Sequence, residues 1–536
     1  MHLEPTEAWY LLRICAALIA IFLLAVHLIK LAVHLTKLKK NVSLFYCWLG
    51  AIAVLGGAAA FFLPIAVNSG FAKEDDGAAL RQAILYTTGG LLGVITLGET
   101  HRKNNQEKEK NENDHTRQVY AERRSRYTKA VEQLANEKAS VRQGGIYTLV
   151  GLADEWLADD SLAKDKQREE GQIIINNLCS YIRSPFPLAE KIEEYEAHKE
   201  LEELEEKEPE NLNAEESLRL KVLQTRFNES DKYKDPEDIT TDYTKLHEEQ
   251  DVRRAIFIEM SKRSSTVSVD ESMKETVKSG PWSSFKFDFS RAPIFYPLKG
   301  MTFENPIFME STFYKGSDFS QAYFVGDTDF KYAYFKNTLH FDKTYFIGNT
   351  DFTDAKSKEG LYFMCTRFLG ETYFTHAFFD GDAIFDWARF KKTAHFTQTG
   401  FFGYASFHAT HFKGDLAFTD AYFEKTSDFR LARFEGPVTF GAIFKNESPL
   451  FVDSDDKIKS AACFSYNVDK KKYNFFVAAD SPYKIKLGSA MLGDKIFRIP
   501  LRTVLFDPDS WDEKTKEYTH MSVTCCRIRC SPHHQE

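Results

Sequence analysis

A phenylalanine stands at every eleventh position from Phe308 to Phe440, namely 308, 319, 330, 341, 352, 363, 374, 385, 396, 407, 418, 429 and 440. A second lane, five residues on, runs 313, 324, 335, 346, 357, 368, 379, 390, 401, 412, 423 and 434, and only Ser357 departs from Phe. Two residues before each second-lane position, from Ser311 to Ala432, the residue is always Ala, Ser or Thr. These lanes explain a lopsided aromatic composition of 46 Phe against 24 Tyr and 6 Trp. An eleven-residue period also suits a right-handed coiled coil, but residues five apart lie on different faces of a helix, and recurring Gly opposes a long one. Short extended pieces turning every five or six residues, each with one Phe and one small residue inward, describe a stacked β-solenoid. A four-sided coil takes two repeats, so 303–444 makes about six coils, and at ~4.8 Å per strand the rod is roughly 30 Å long. Phe319, Phe324, Phe330, Phe335, Phe341, Phe346, Phe385, Phe390, Phe407 and Phe412, with Ala333 and Ala388, are expected in its core. Gly326, Gly348, Gly370, Gly381, Gly403, Gly414, Gly436 and Asn337 fall in the six-residue step, where turns of positive φ are expected.

The same coil places one outward column in view. Tyr323, Tyr345, Arg367, Arg389, His411 and Arg433 precede alternate second-lane positions, so a 22-residue coil stacks them into an aromatic and then basic ladder. Such a ladder suits an acidic partner or anionic headgroups. The competing reading is a solvated wall whose Arg stems cover neighbouring rings.

The units Ala322-Tyr-Phe324, Ala333-Tyr-Phe335, Ala388-Arg-Phe390 and Ala421-Tyr-Phe423 resemble the Phe-centred variant of the pentapeptide-repeat family. That resemblance implies a right-handed quadrilateral β-helix with the central residue and the one two before it pointing inward. Arg126-Tyr-Thr-Lys-Ala-Val-Glu-Gln-Leu134, Val141-Arg-Gln-Gly-Gly-Ile-Tyr147 and Asp251-Val-Arg-Arg-Ala255 resemble the module that precedes the repeats in membrane-anchored bacterial members. It covers the third apolar segment through residue 444, apart from 189–250, which has no counterpart. The extra residue in every second step departs from the regular 20-residue coil. The family implies a fold more than a function, because its members act in different ways.

The first hundred residues read as membrane. Apolar segments at about 9–36, 43–68 and 78–98 are each long enough to span. Met1 to Glu7 holds two acids and no base, unlike a signal peptide, so the segment is expected to be retained. Lys37, Lys39 and Lys40 follow the first segment, Lys73 faces Glu74, Asp75 and Asp76 after the second, and Arg102, Lys103, Lys108 and Lys110 follow the third. Under the positive-inside rule three spans put the N-terminus outside and the rest in the cytoplasm, which with the resemblance implies a multi-pass protein of the bacterial plasma (inner) membrane. Gly89 and Gly93 form a small-xxx-small pair of the kind that lets helices approach closely, though ordinary membrane glycine is the preferred reading.

The expected organisation is therefore a membrane anchor at 1–100, a cytoplasmic helical module at 101–187, a charged helical insertion at 188–250 broken at Pro209, a helix and linker at 251–280, the repeat β-helix at 281–445, and a cap with a disordered tail at 446–536. The insertion reads as a solvated spacer, and 264–280 as a Ser, Thr and Gly linker. Tyr473-Asn-Phe-Phe-Val and Phe497-Arg-Ile-Pro-Leu are expected as strands closing the rod.

Chemistry is sparse. No phosphate-cradling glycine loop, His-Glu-x-x-His pair, nucleophile elbow or kinase set is present, and on a 22-residue coil none of His340, His376, His395, His408 and His411 stacks on another. No enzyme activity, cofactor or metal is expected. Cys525, Cys526, Cys530, His533 and His534 match no standard metal spacing and read as a tail with free thiols. Eight scattered Cys indicate a reducing compartment. The formal charge of −9 carries no nucleic-acid footprint. The preferred expectation is a noncatalytic scaffold integral to the membrane with a cytoplasmic protein partner. Through the resemblance, one alternative is a DNA mimic acting on DNA gyrase or topoisomerase; a further reading is a part of a membrane transport or signalling assembly, of which transport needs more than three spans unless the chain oligomerises. Residues 303–444 hold 18 acids and 14 bases, a net of −4, which is modest for a DNA mimic. Nothing in the sequence speaks to oligomeric state.

Overall fold

The computed structural model describes residues 5–38, 44–66, 76–228, 236–270, 274–453, 460–514 and 517–518, in two compact units, Met1–Glu122 and Arg123–Glu536. The expected charges at Lys39, Lys40, Lys73, Glu74 and Asp75 and the whole Cys/His tail lie outside the described residues.

The first unit is helical: α1 (Pro5–Leu38), α2 (Leu44–Ala66) and most of α3 (Asp76–Leu134), whose last turns belong to the second unit. Each contains a segment long and apolar enough to cross a membrane: Leu11–Leu28, Trp48–Ala66 and within Gly77–Leu134. The third helix does not stop at Glu99 but continues through the charged stretch to Leu134. Close approach between α2 and α3 occurs at Gly56, where a Cβ would sit 2.2 Å from Thr88 Cγ2, whereas a Cβ on Gly89 or Gly93 would meet nothing within 4 Å. Gly89 and Gly93 are thus ordinary glycines of an apolar helix, and the close contact is made at Gly56.

In the second unit, α4 (Ala139–Leu157), α5 (Lys164–Arg183) and α8 (Pro236–Arg263) pack Ile146, Leu149, Leu152, Ile175, Leu178, Ile182, Val252 and Ile256 into one buried core. Arg253 lies inside it, 1% exposed. It donates from Nε to Glu249 at 2.7 Å, and from its Nη atoms to the carbonyls of Ile182 and Ser184 at 2.8 and 2.9 Å. Glu249 also accepts from Arg142 at 3.2 Å and Tyr181 at 3.1 Å, so the buried charge is fully engaged. The far face of α8 closes the start of the solenoid, with Phe257 4.7 Å from Phe289 and 5.9 Å from Phe303.

The solenoid is a parallel β-structure of about seven turns with four walls. In chain order, wall 1 begins at Phe287–Asp288, wall 2 at Pro293–Ile294, wall 3 has its strands from Leu339–His340 to Ser427–Asp428, and wall 4 begins at Thr302–Glu304. Strands pair 22 residues apart, as in Tyr323↔Tyr345 and Thr350↔Thr372. The extra turn beyond the six expected comes from segments without the Phe period that still pair in register, such as Cys463–Ser465, Tyr473–Asn474 and Val504–Phe506. The hairpin of Leu487–Leu492 and Lys495–Pro500 lies at this end and buries Phe497 near Tyr473.

The lanes become four ring stacks, one behind each wall. Phe319, Phe341, Phe363, Phe385, Phe407 and Phe429 stack in wall 3 at centroid spacings of 4.8 to 5.3 Å. Phe324, Phe346, Phe368, Phe390 and Phe412 do so in wall 4 at 4.6 to 5.1 Å. In wall 1 Phe308 stacks on Phe330 at 5.2 Å and Phe330 on Phe352 at 4.7 Å, and Phe313 and Phe335 pair in wall 2 at 5.0 Å. All are essentially without solvent contact, as are Ala333 and Ala388. Each buried ring contributes about 2 to 3 kcal/mol of transfer free energy.

The turns correct an expectation. Positive φ falls two residues after each first-lane Phe from Phe308 to Phe429, at Glu310, Gln321, Tyr332, Lys343, Asp354, Cys365, His376, Trp387, Gln398, Ala409, Asp420 and Leu431, with φ between 52° and 62°. The next residue's N–H closes the turn, as Ala333 does on the Phe330 carbonyl at 3.0 Å, the pattern of a type II turn. Of the expected glycines, only Gly326 has positive φ. The others are required by contact between coils: a Cβ on Gly370 would lie 2.2 Å from the Gly348 carbonyl oxygen, and one on Gly403 2.4 Å from Gly381 C.

Two further segments differ from expectation. The supposed linker forms an antiparallel hairpin, β1 (Thr266–Val269) and β2 (Glu275–Lys278), because Val267 and Val277 alternate with polar residues at strand period. The acidic insertion is not a free spacer. Its helices α6 (Ile192–Glu205) and α7 (Ala214–Asn228) bury Ala197, Leu201, Leu204 and Leu223 between them. Ahead of α6, Glu190 accepts from Tyr314 and Lys336 at 3.3 Å, and on α6 Glu193 accepts from Asn337 while Glu196 pairs with Lys315.

Candidate interaction wall

Wall 4 carries the ladder. The parallel register pairs Tyr323↔Tyr345, Tyr345↔Arg367, Arg367↔Arg389, Arg389↔His411 and His411↔Arg433, so all six expected residues stand in one outward column. Tyr323 and Tyr345 stack at 5.2 Å, and the Arg367 guanidinium lies 5.2 Å from the Tyr345 ring centroid. The lower part of the ladder is therefore aromatic surface covered by an Arg stem and head.

Both ends of the basic part are occupied by this chain. Glu275 of β2 pairs with Arg367 at 3.4 Å, with each side chain only 11% exposed. Arg433 lies 5.8 Å from the Trp511 ring, and Glu435 accepts from His411 Nε2 at 2.8 Å. Burial pushes the Glu435 carboxyl up, but that hydrogen bond and the His411 charge outweigh it and hold the group below its ordinary value. Between these ends Arg389 is exposed, and no ion pair within 4 Å engages it among the described residues. Loss of hydration and crowding by Arg367 and Arg433 lower its proton affinity.

A second column was missed in the sequence. Residues two beyond the ladder share its outward direction, and they read Val325, Ile347, Leu369, Lys391, Lys413 and Glu435. Applying the 22-residue step to every outward position, rather than to one lane, would have found it. Lys391 and Lys413 are exposed and, like Arg389, are in no ion pair among the described residues. Trp387, 58% exposed, stands at the turn leading into Arg389.

Wall 3 holds another cluster that single-lane reading overlooked. Asp386, Ser406, His408 and Asp428 come together where steps of 22 bring 386 beneath 408 and 406 beneath 428. Ser406 Oγ donates to Asp386, Tyr404 Oη donates to Asp428 at 3.0 Å, and Arg430 forks onto Asp428 at 2.6 and 3.0 Å. The His408 ring faces Asp428 at 3.9 Å, while its contact with Ser406 is through its backbone N–H at 3.5 Å. With the serine proton on a carboxylate and no imidazole nitrogen at its oxygen, the group is a polar clip between coils rather than an activated nucleophile. Among the described residues no group of three or more His, Cys, Asp or Glu is arranged to hold a metal ion.

Comparison with protein-family models, curated proteins and solved structures yields no match, so the functional reading rests on this chain's own repeat, helices and wall geometry.

Proposed function

We propose that this chain is a noncatalytic, membrane-anchored scaffold of the pentapeptide-repeat kind, which presents wall 4 of its solenoid to a protein partner at the cytoplasmic face of a bacterial plasma membrane. The observation that carries the reading is the ladder, six outward side chains in one register with its basic centre uncovered. Three apolar helices of spanning length support insertion in the membrane. Repeat solenoids bury little beyond their own stack and offer long flat walls, which suits binding better than enclosure of a small substrate. The gyrase-directed, DNA-mimicking alternative calls for an acidic wall, and the open centre of wall 4 is basic.

The test is proximity labelling in cells that express the full-length protein, against a variant with Arg367→Glu, Arg389→Glu and Arg433→Glu. One cytoplasmic protein enriched by the natural chain and lost in the variant supports the scaffold. Equal labelling of general membrane neighbours by both overturns it. Reporter fusions after residues 70 and 110 check orientation, with external and cytoplasmic signals expected respectively.

A further inference from the structure

The open part of wall 4 is a small basic window. Arg389, Lys391, His411 and Lys413 occupy two outward columns on two adjacent coils, with strands ~4.8 Å apart. Within the window His411 pairs with Glu435, whose carboxylate also feels the Lys413 charge, while Arg389 and Lys391 are in no ion pair among the described residues of a chain whose formal charge is −9. Concentrated unpaired charge of one sign on an oppositely charged molecule is the electrostatic signature of a complementary partner.

The molecule also shows what kind of group this wall accepts. At the coil beneath, the cation of the same column is capped by Glu275, a carboxylate on the extended strand β2. Next to the window the acceptor is again a carboxylate, Glu435. Glu275 of the β1–β2 hairpin meets the column at one end of the window and Trp511 meets it at the other, so the open stretch is short, which suits a narrow extended chain. In such a chain alternate side chains face the wall, which matches acids at every second residue. Trp387 on the rim offers apolar area to the same chain.

We propose that the window formed by Arg389, Lys391, His411 and Lys413, with Trp387 at its rim, docks an extended acidic segment of a partner protein. This deepens the scaffold reading and rests on it. Binding is of the wall-against-strand kind, with charge setting specificity and association rate.

The experiment uses the full-length chain in phosphatidylcholine nanodiscs and a fluorescein-labelled ten-residue peptide of alternating Glu and Thr, followed by anisotropy. The natural chain is expected to bind with an affinity that falls as salt rises. Arg389→Glu with Lys413→Glu is expected to weaken binding at least about tenfold, and the neutral pair Arg389→Gln with Lys413→Gln to fall between, while Lys356→Glu with Lys358→Glu on wall 2 stays within about twofold. Unchanged melting of the variants shows that folding is not the cause. No binding by the natural chain, or equal loss from the wall 2 variant, overturns the proposal. Displacement of the peptide by phosphatidylserine nanodiscs as efficiently as by unlabelled peptide of equal charge also overturns it, in favour of lipid. Should cellular labelling find a ladder-dependent partner while the peptide fails, only the acidic chemistry falls; should labelling find none, the scaffold itself falls.

Discussion

Ser357 stands directly over Phe335 in the parallel register of wall 2, and Phe379 stands over Ser357, so the ring stack of that wall skips one level. The Ser357 hydroxyl turns to the Glu359 carbonyl at 2.5 Å. Every other second-lane position between Phe313 and Phe434 supplies a ring. Ser357→Phe is expected to complete the stack and stabilise the solenoid by about 1 to 2 kcal/mol, part ring burial and part stacking, less the lost hydroxyl contact. Denaturant unfolding of the two proteins in the same detergent measures it, and a lower midpoint for the variant would show that neighbouring rings already fill the level.

Gly370 and Lys343 exchange the roles that their residue types suggest. A Cβ on Gly370 would lie 2.2 Å from the Gly348 carbonyl oxygen, although its φ is not positive, while Lys343 has φ +58° and an exposed side chain. Gly370→Ala is therefore expected to cost more than about 2 kcal/mol, because coils in hydrogen-bonded contact must separate. Lys343→Gly should change stability by less than about 1 kcal/mol, since relief of left-handed strain opposes added freedom in the unfolded chain. Similar losses from both substitutions would contradict this assignment of the turns.

The difference between these two positions also marks what a sequence reveals of such a fold. The Phe lanes are legible because one buried environment recurs every eleven residues and selects one side chain. The left-handed position recurs just as regularly but holds Tyr332, Cys365, Trp387 and Leu431 alike, because its constraint is on the backbone, while its side chain points outward and selects nothing. The ladder is legible by the same arithmetic as the lanes, and Lys391 and Lys413 were equally accessible to it. Glu275 on Arg367 was not, since 92 residues and no periodicity connect them. Neither was the contact of Trp282 Nε1 with Asp154 at 2.8 Å, which ties the helical module to the start of the rod across 128 residues.

Arg253 joins two helices through one guanidinium: Glu249 on its own helix, and the carbonyls of Ile182 and Ser184 at the end of α5. Rings of Tyr181, Phe186 and Phe295 lie 5.6 to 5.7 Å from it, the last belonging to the first coil. Arg253→Met is expected to cost about 3 to 5 kcal/mol, because the buried Glu249 loses its closest cation and two carbonyls lose their donors. Adding Glu249→Gln should recover part of that loss by removing the stranded charge. A double variant no better than the single one would place the cost in packing rather than charge, and a double-mutant cycle on unfolding free energies separates the two.

Asp386 and Asp428 lie in the same wall 3 clip, yet their carboxyls are shifted in opposite directions. Burial raises Asp386, and the hydrogen bond from Ser406 offsets this only in part. Burial also acts on Asp428, but the Arg430 hydrogen bonds outweigh it and the net shift is downward. For Asp428 the native carboxyl titrates below the unfolded value of about 3.9, so its stabilisation is fully present above that pH and is lost as pH falls through the native value. For Asp386 the native carboxyl titrates above about 3.9, so stability declines as pH rises from there through the native value. Asp428→Asn should then lower the melting temperature at pH 7, with the deficit shrinking on acidification towards pH 2.5. Asp386→Asn, which keeps an acceptor for Ser406, should do best relative to the natural chain at pH 7 and lose that advantage in acid. Melting curves of the three proteins between pH 2.5 and 7 decide the matter: two variants whose differences from the natural chain move in the same direction with pH would mean that the clip does not divide its protons in this way.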